Sequence, residues 1–202
     1  GLTAVQSVIL AERLSGDLRG QTVLVTGASS AVGHYITQMV TMAGGRVIGT
    51  VGSELKAAHA RAAGMQEAIF YKTESVPERV KSLTNGRGAD VIIDMDFSTT
   101  ARWACEGALV PHGQVVCYGS NVPGELPVDF RTLLFQSLCL QFFVVYELTP
   151  ADRQACIAEL SACLESGALQ FSPGARFPLA SVADAHLCVE QGRSTGTVLL
   201  AL

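Results

Sequence analysis

Apolar positions along this chain follow two alternating rhythms. Short, continuously apolar runs occur at Thr22–Thr26, Arg46–Thr50, Ala68–Tyr71, Asp90–Asp94 and Gln114–Tyr118. Such runs suit strands buried on both faces of a sheet. Between them, apolar residues recur at helical spacing. The spacing predicts helices over Val32–Ala43, stopped by Gly44-Gly45, and over Glu54–Ala63, closed by Gly64. Further helices are predicted over Val76–Thr84, with Pro77 in the first turn and Asn85-Gly86 at the end, and over Thr99–Leu109. A helix over Gln6–Leu14, closed by Gly16 and Gly20, precedes the first strand. After the fifth strand come a short helix around Phe130–Gln136 and an apolar strand Leu138–Val145. Helices over Pro150–Ser166 and Ser181–Gln191 and a last strand, Gly196–Ala201, complete the pattern.

Strands and helices in alternation predict an α/β fold, a doubly wound parallel sheet of the Rossmann type with helices on both faces. A chain of 202 residues suits one such domain. Only 16% of residues are charged and 49% are hydrophobic, which fits a globular chain. The net charge of −4 argues against a nucleic-acid partner, which needs a basic footprint. The longest apolar run, Leu138–Tyr146, is too short to span a bilayer, and no signal peptide opens the sequence. A cytoplasmic protein with no membrane partner is the expectation. Six cysteines without a Cys-x-x-Cys pair suit reduced, buried thiols rather than zinc ligands or a disulfide framework. The four histidines are equally scattered and are expected on the surface or half-buried, with no metal among them.

Ligands of this architecture lie across the carboxyl ends of the strands, where strand order reverses. The first strand runs directly into Thr26-Gly-Ala-Ser-Ser-Ala-Val-Gly33, which opens a helix. Small residues there let backbone approach a pyrophosphate, and the helix N-terminus favours its negative charge. Enzymes that take the non-phosphorylated dinucleotide usually place an acid near the end of the second strand. Here Gly49-Thr-Val-Gly-Ser53 has none before Glu54, and Lys56 follows. A hydroxyl, a glycine amide and an ammonium suit a 2′-phosphate, so NADPH is favoured over NADH. Asp94 and Asp96 follow one strand and are read as loop caps or solvated strand-end groups, not as a catalytic pair. No catalytic residue is assigned.

Thr26-Gly-Ala-Ser-Ser also looks like the opening of a short-chain dehydrogenase. That family requires Tyr-x-x-x-Lys, and Tyr35, Tyr71, Tyr118 and Tyr146 all lack the lysine. The chain more closely resembles the zinc-independent quinone oxidoreductase (zeta-crystallin-like) branch of the medium-chain reductases. The resemblance rests on Thr22–Gly33, Val47–Lys56, Gly86–Asp94, Gly113–Gly119 and Gly192–Leu200. It implies a pyrophosphate site at Ser29, Ser30, Ala31 and Val32. It implies a 2′-phosphate site at Gly52, Ser53, Lys56 and Tyr71, with Arg193 reaching in from the C-terminal segment. Tyr118, Gly119 and Ser120, with Phe142, Phe143 and Val144, would line the nicotinamide side. The sequence departs from the family at Ser30-Ala31, where Gly-Gly is usual.

The family also carries an N-terminal GroES-like domain that forms most of the substrate pocket, and nothing here corresponds to it. The expectation is therefore a cofactor-binding part of a larger enzyme, spanning 1–202 with its connecting N-terminal helix. The implied reaction passes a hydride from NADP(H) to a quinone or an α,β-unsaturated carbonyl, as in an enoyl reductase. The strand at Leu138–Val145 implies a homodimer. Two other readings stay open: a non-catalytic dinucleotide-binding or redox-sensing protein, and an interaction protein that kept the fold without the cofactor.

Overall fold

The apolar runs form strands because their side chains can be buried on both sides at once. In the computed structural model, which describes residues Gly1–Leu202, β1 (Thr22–Val25) is buried at all four positions. The strands β2 (Arg46–Val51), β3 (Glu67–Phe70), β4 (Ala89–Asp94), β5 (Leu109–Cys117) and β6 (Cys139–Phe142) join it in one sheet. Their order is β3-β2-β1-β4-β5-β6, and every pairing is parallel. This is the doubly wound order, in which the strand direction of travel reverses beside β1.

Helices α1 (Leu2–Ser15), α2 (Ala31–Met42), α3 (Glu54–Ala62) and α7 (Pro150–Glu165) cover one face. There Val23, Val25, Val47 and Val91 of the sheet meet Val5, Ile36, Ala57 and Cys156 of the helices. Helices α4 (Val76–Leu83) and α5 (Phe97–Trp103) cover the other, where Leu24, Ile48 and Ile92 meet Val80 and Ala101. Starts are set by local chemistry: Ser30 accepts a hydrogen bond from the Gly33 amide, and Thr149 accepts one from Asp152 with Pro150 following. No helix is long and apolar enough to cross a membrane.

Three elements depart from the sequence reading. The helix expected to run to Leu109 ends its regular turns at Trp103 and widens over Ala104–Ala108, broken by Gly107 at φ 91°. Strand β5 then begins at Leu109, not Gln114, and its register against β4 shifts between Ala89 and Val91. The strand expected over Leu138–Val145 stops at Phe142, and a 3₁₀ turn follows at Val145–Glu147. Its short helix neighbour, α6 (Phe130–Phe135), buries no residue.

The largest departure is at the C-terminus. Strand β7 (Pro173–Pro178) was not predicted, because Pro-Gly-Ala-Arg-Phe-Pro shows neither an apolar run nor clean alternation. It pairs in parallel with β8 (Thr197–Ala201) across α8 (Val182–Glu190). The last strand therefore belongs to a separate two-stranded sheet and not to the main one. This unit is thinly packed, with Ala185 the one buried residue of α8. It is tied to α2 by Gln38, whose side chain bonds both the carbonyl (3.1 Å) and the amide (2.8 Å) of Gln170.

Candidate functional site

The turn after β1 is shaped by two glycines. Gly27 has φ 61°, and a β-carbon on Gly33 would lie 2.3 Å from the Gly27 carbonyl oxygen. Helix α2 thus sits directly on the turn, as the sequence reading expected of Gly33. The turn is stitched to β2 by Thr50, whose hydroxyl accepts from the Gly27 amide at 3.0 Å and whose carbonyl accepts from Ala28. Ser30 stands where the resembled family has glycine. Its Oγ accepts from the Gly33 amide at 3.0 Å, so the hydroxyl serves the helix start. The amides of Ala31 and Val32 take part in none of the loop or turn hydrogen bonds. Those donors have no carbonyl a turn earlier inside the helix and suit an anion.

At the end of β2 the structure brings together four of the predicted residues. A β-carbon on Gly52 would lie 3.2 Å from the Tyr71 Oη. Ser53 begins α3, its Oγ accepting from the Lys56 amide at 3.4 Å. Lys56 points to the far end of the chain: its Nζ is 3.3 Å from where a β-carbon on Gly192 would stand. Arg193 is the next residue in the sequence and is exposed. The nearby acid, Glu54, is paired with Arg61 at 2.7 Å.

A second group of predicted residues lines a single cavity of about 590 Å³. Tyr118, Gly119, Ser120, Phe142, Phe143 and Val144 all face it, with Phe97 and Leu126. Phe97 and Phe142 meet edge to face at 4.8 Å, and Tyr118 lies 6.3 Å from Phe143. The cavity is mainly apolar, and Glu147 is the one charged residue in its lining. Burial pushes the Cys117 thiol up to about 12, so it stays neutral at neutral pH, and it donates to the Gly119 carbonyl. Burial likewise raises the Tyr118 hydroxyl.

A smaller cleft of about 200 Å³ lies between these regions, lined by Thr26, Gly27, Thr50, Tyr71, Met95, Asp96, Trp103 and Asn121 among others. Met95 covers Gly27: its Sδ is 2.1 Å from the place a β-carbon would take. Asp94 corrects the solvated half of the sequence reading: it caps the loop through the Asp96 amide but is completely buried. Its Oδ1 accepts from Thr26 (2.9 Å), Thr100 (2.8 Å) and the Asp96 amide (2.9 Å). Burial raises its pKa against the opposing pull of those hydrogen bonds. Asp96 does act as a loop group. Burial would raise it too, but bonds from Ser98, Asn121 and Thr99 outweigh that and hold it below the usual carboxylate range.

The sequence reading also missed a histidine pair. His34 of α2 is buried and stacks on His59 of α3 with ring centroids 4.5 Å apart. Burial, then the charge of His59, pushes His34 down to about 4. His59 lies 3.5 Å from the Ser172 hydroxyl, just before β7, so the pair belongs to the packing that seats the C-terminal unit. The six cysteines are unpaired, with Cys117, Cys156 and Cys163 buried.

Comparison with known proteins decides the family. Residues 31–162 match the zinc-binding dehydrogenase family. The chain belongs to it. Within it, the relatives are of the quinone-oxidoreductase kind, as the sequence resemblance implied. The chain is 33% identical over 195 residues to a quinone oxidoreductase of Pseudomonas aeruginosa, covering 93% of this chain and 59% of that one. It is 30% identical over 187 residues to a 2-haloacrylate reductase of Burkholderia sp., covering 90% and 55%. A mycobacterial structure in complex with NADPH superposes with a TM-score of 0.86 at 29% identity, over 98% of this chain and 62% of that one. The chain thus spans little more than half the length of the curated relatives it matches. The zinc in the family's description finds no fit among these residues. No three His, Cys, Asp or Glu side chains converge, and catalytic zinc takes three protein ligands.

Proposed function

We propose that this chain is the NADP(H)-binding part of a reductase that passes a hydride to a quinone or an α,β-unsaturated carbonyl. The observation that carries this reading is that Gly52 lies against Tyr71, Ser53 starts the helix bearing Lys56, and the Lys56 ammonium lies against the Gly192 turn, while Glu54 is held by Arg61. Hydroxyls, a glycine and two cations suit a 2′-phosphate, and a carboxylate turned inward would repel it. Ser29, Ser30, Ala31 and Val32 would hold the pyrophosphate, chiefly through the open amides of Ala31 and Val32. Ser30 does not obstruct that role, because its hydroxyl is already turned to the helix start.

When bound, the reduced nicotinamide supplies the hydride. The chain's own part is to orient and to exclude water. Tyr118, Gly119 and Ser120 would set one wall of the nicotinamide side, and Phe142, Phe143 and Val144 the other. Cys117 and Tyr118 are both held neutral by burial. Calorimetric titration tests the reading. NADPH is expected to bind about ten- to a hundredfold more tightly than NADH, the size of one or two charge-assisted contacts. Equal affinities, or tighter NADH, would overturn the phosphate assignment.

We also propose a homodimer formed through β6. This strand is one of the two free edges of the main sheet and is followed by exposed Val144 and Tyr146. An uncovered apolar edge readily pairs with another. A solution mass of twice the chain mass at micromolar concentration is expected, and a monomeric mass would remove the proposal.

A further inference from the structure

Asp96 stands at the start of α5, where an aspartate normally accepts from an amide of its own first turn. It makes no such bond. Its carboxylate instead reaches across to the loop after β5. Oδ1 accepts from the Asn121 amide at 2.9 Å and Oδ2 from the Asn121 side-chain amide at 2.8 Å. Ser98 and Thr99 supply hydroxyl donors to the same two oxygens. Four donors on one carboxylate leave little of its charge facing the cleft it lines.

The two loops are joined at a second level. The Phe97 amide donates to the Gly119 carbonyl at 3.0 Å, and a β-carbon on Gly119 would lie 2.6 Å from the Met95 carbonyl oxygen. Behind Asp96 the bonding continues to the first turn: its amide donates to Asp94 Oδ1, which also accepts from Thr26. The loop held in this way carries Tyr118, Gly119 and Ser120, and Phe97 itself enters the same apolar cavity.

We propose that Asp96 is a positioning residue, clasping the turn after β4 to Asn121 and so fixing the Tyr118–Ser120 wall of the nicotinamide side. The inference rests on the dinucleotide reading given above. Without the clasp the two loops keep only the backbone bonds of Tyr118 to the Asp94 carbonyl and of Phe97 to the Gly119 carbonyl, neither of which reaches past Gly119, and the nicotinamide end loses the rigid end of its wall. The adenosine end, built on β2, β3 and the Gly192 turn, shares none of these bonds.

The test compares the chain with its Asp96→Ala, Asn121→Ala and doubly substituted forms. NADPH and adenosine 2′,5′-bisphosphate, which carries only the adenosine end, are titrated into each. Asp96→Ala is expected to weaken NADPH about tenfold and the bisphosphate less than about twofold, as loss of two charge-assisted bonds at one end requires. Asn121→Ala should weaken NADPH less, and add nothing in the Asp96→Ala background, because the two residues form one contact. Equal losses for both ligands, tighter NADPH, or additive effects would each overturn the clasp. Amide exchange in the ligand-free chain gives a separate answer. The Asn121 amide should lose its protection in Asp96→Ala, and unchanged protection refutes the clasp. Binding of neither nucleotide by the unsubstituted chain would instead refute the dinucleotide reading, leaving the exchange result to decide the clasp.

Discussion

Lys56→Ala is expected to weaken NADPH binding by about tenfold to a hundredfold and to change NADH binding by less than about twofold, since a hydrogen bond to a charged group contributes roughly 1.5–3 kcal/mol. Lys56 is the cation that would join the two parts of the proposed phosphate site. It rises from the first turns of α3, whose start is set by Ser53, and its ammonium lies against Gly192 at the end of α8. Removing it leaves Arg193 as the remaining cation beside that turn, so binding should be weakened and not abolished. Only the phosphorylated cofactor carries the group it would contact, which is why the two nucleotides should separate. Calorimetry with both nucleotides reads the difference. Equal losses for NADPH and NADH would show that Lys56 holds the fold of the cleft and not the phosphate.

Gly33→Ala is expected to destabilise the fold by about 3 kcal/mol, at the upper end of overpacking costs. The added carbon would meet the Gly27 carbonyl oxygen at 2.3 Å and the Ala28 Cα at 2.9 Å, both backbone atoms that cannot rotate aside. Helix α2 would have to lift off the turn, loosening Ile36 and Val40 in the main core as it did so. For a domain of this size the melting temperature should fall by roughly 6–12 °C. Nucleotide binding should suffer as well, because the Ala31 and Val32 amides move with the helix. A melting temperature unchanged within error would mean that the helix can shift without cost, and that Gly33 is not needed for close packing.

Much of the architecture was legible because its signals are local. The strands around Leu24, Ile48, Ile92 and Val115 announce themselves as short apolar runs, and Ser30, Ser53 and Gly64 mark helix ends within one turn. The glycine turn, the absence of an acid before Glu54, and the lysine after it also lie within a few residues of one another. Asp94 was misread for the opposite reason. Its partner Thr26 becomes a neighbour only when β1 and β4 pair, 68 residues apart in sequence. The His34–His59 stack and the Asp96–Asn121 clasp are hidden in the same way, since each joins two separate crossover units.

By itself, the sequence determined a doubly wound α/β domain, a dinucleotide-type turn and a second-strand end suited to phosphate. These follow from periodicity, turn chemistry and residue charge, which act over a few residues. The tertiary structure alone decided that the last strand leaves the main sheet to pair with a proline-flanked β7. It alone placed Gly192 beside Lys56, and brought six residues of β5, β6 and their loops around one apolar cavity. Those outcomes depend on which strand ends become neighbours, and that is set by the burial of both sheet faces together.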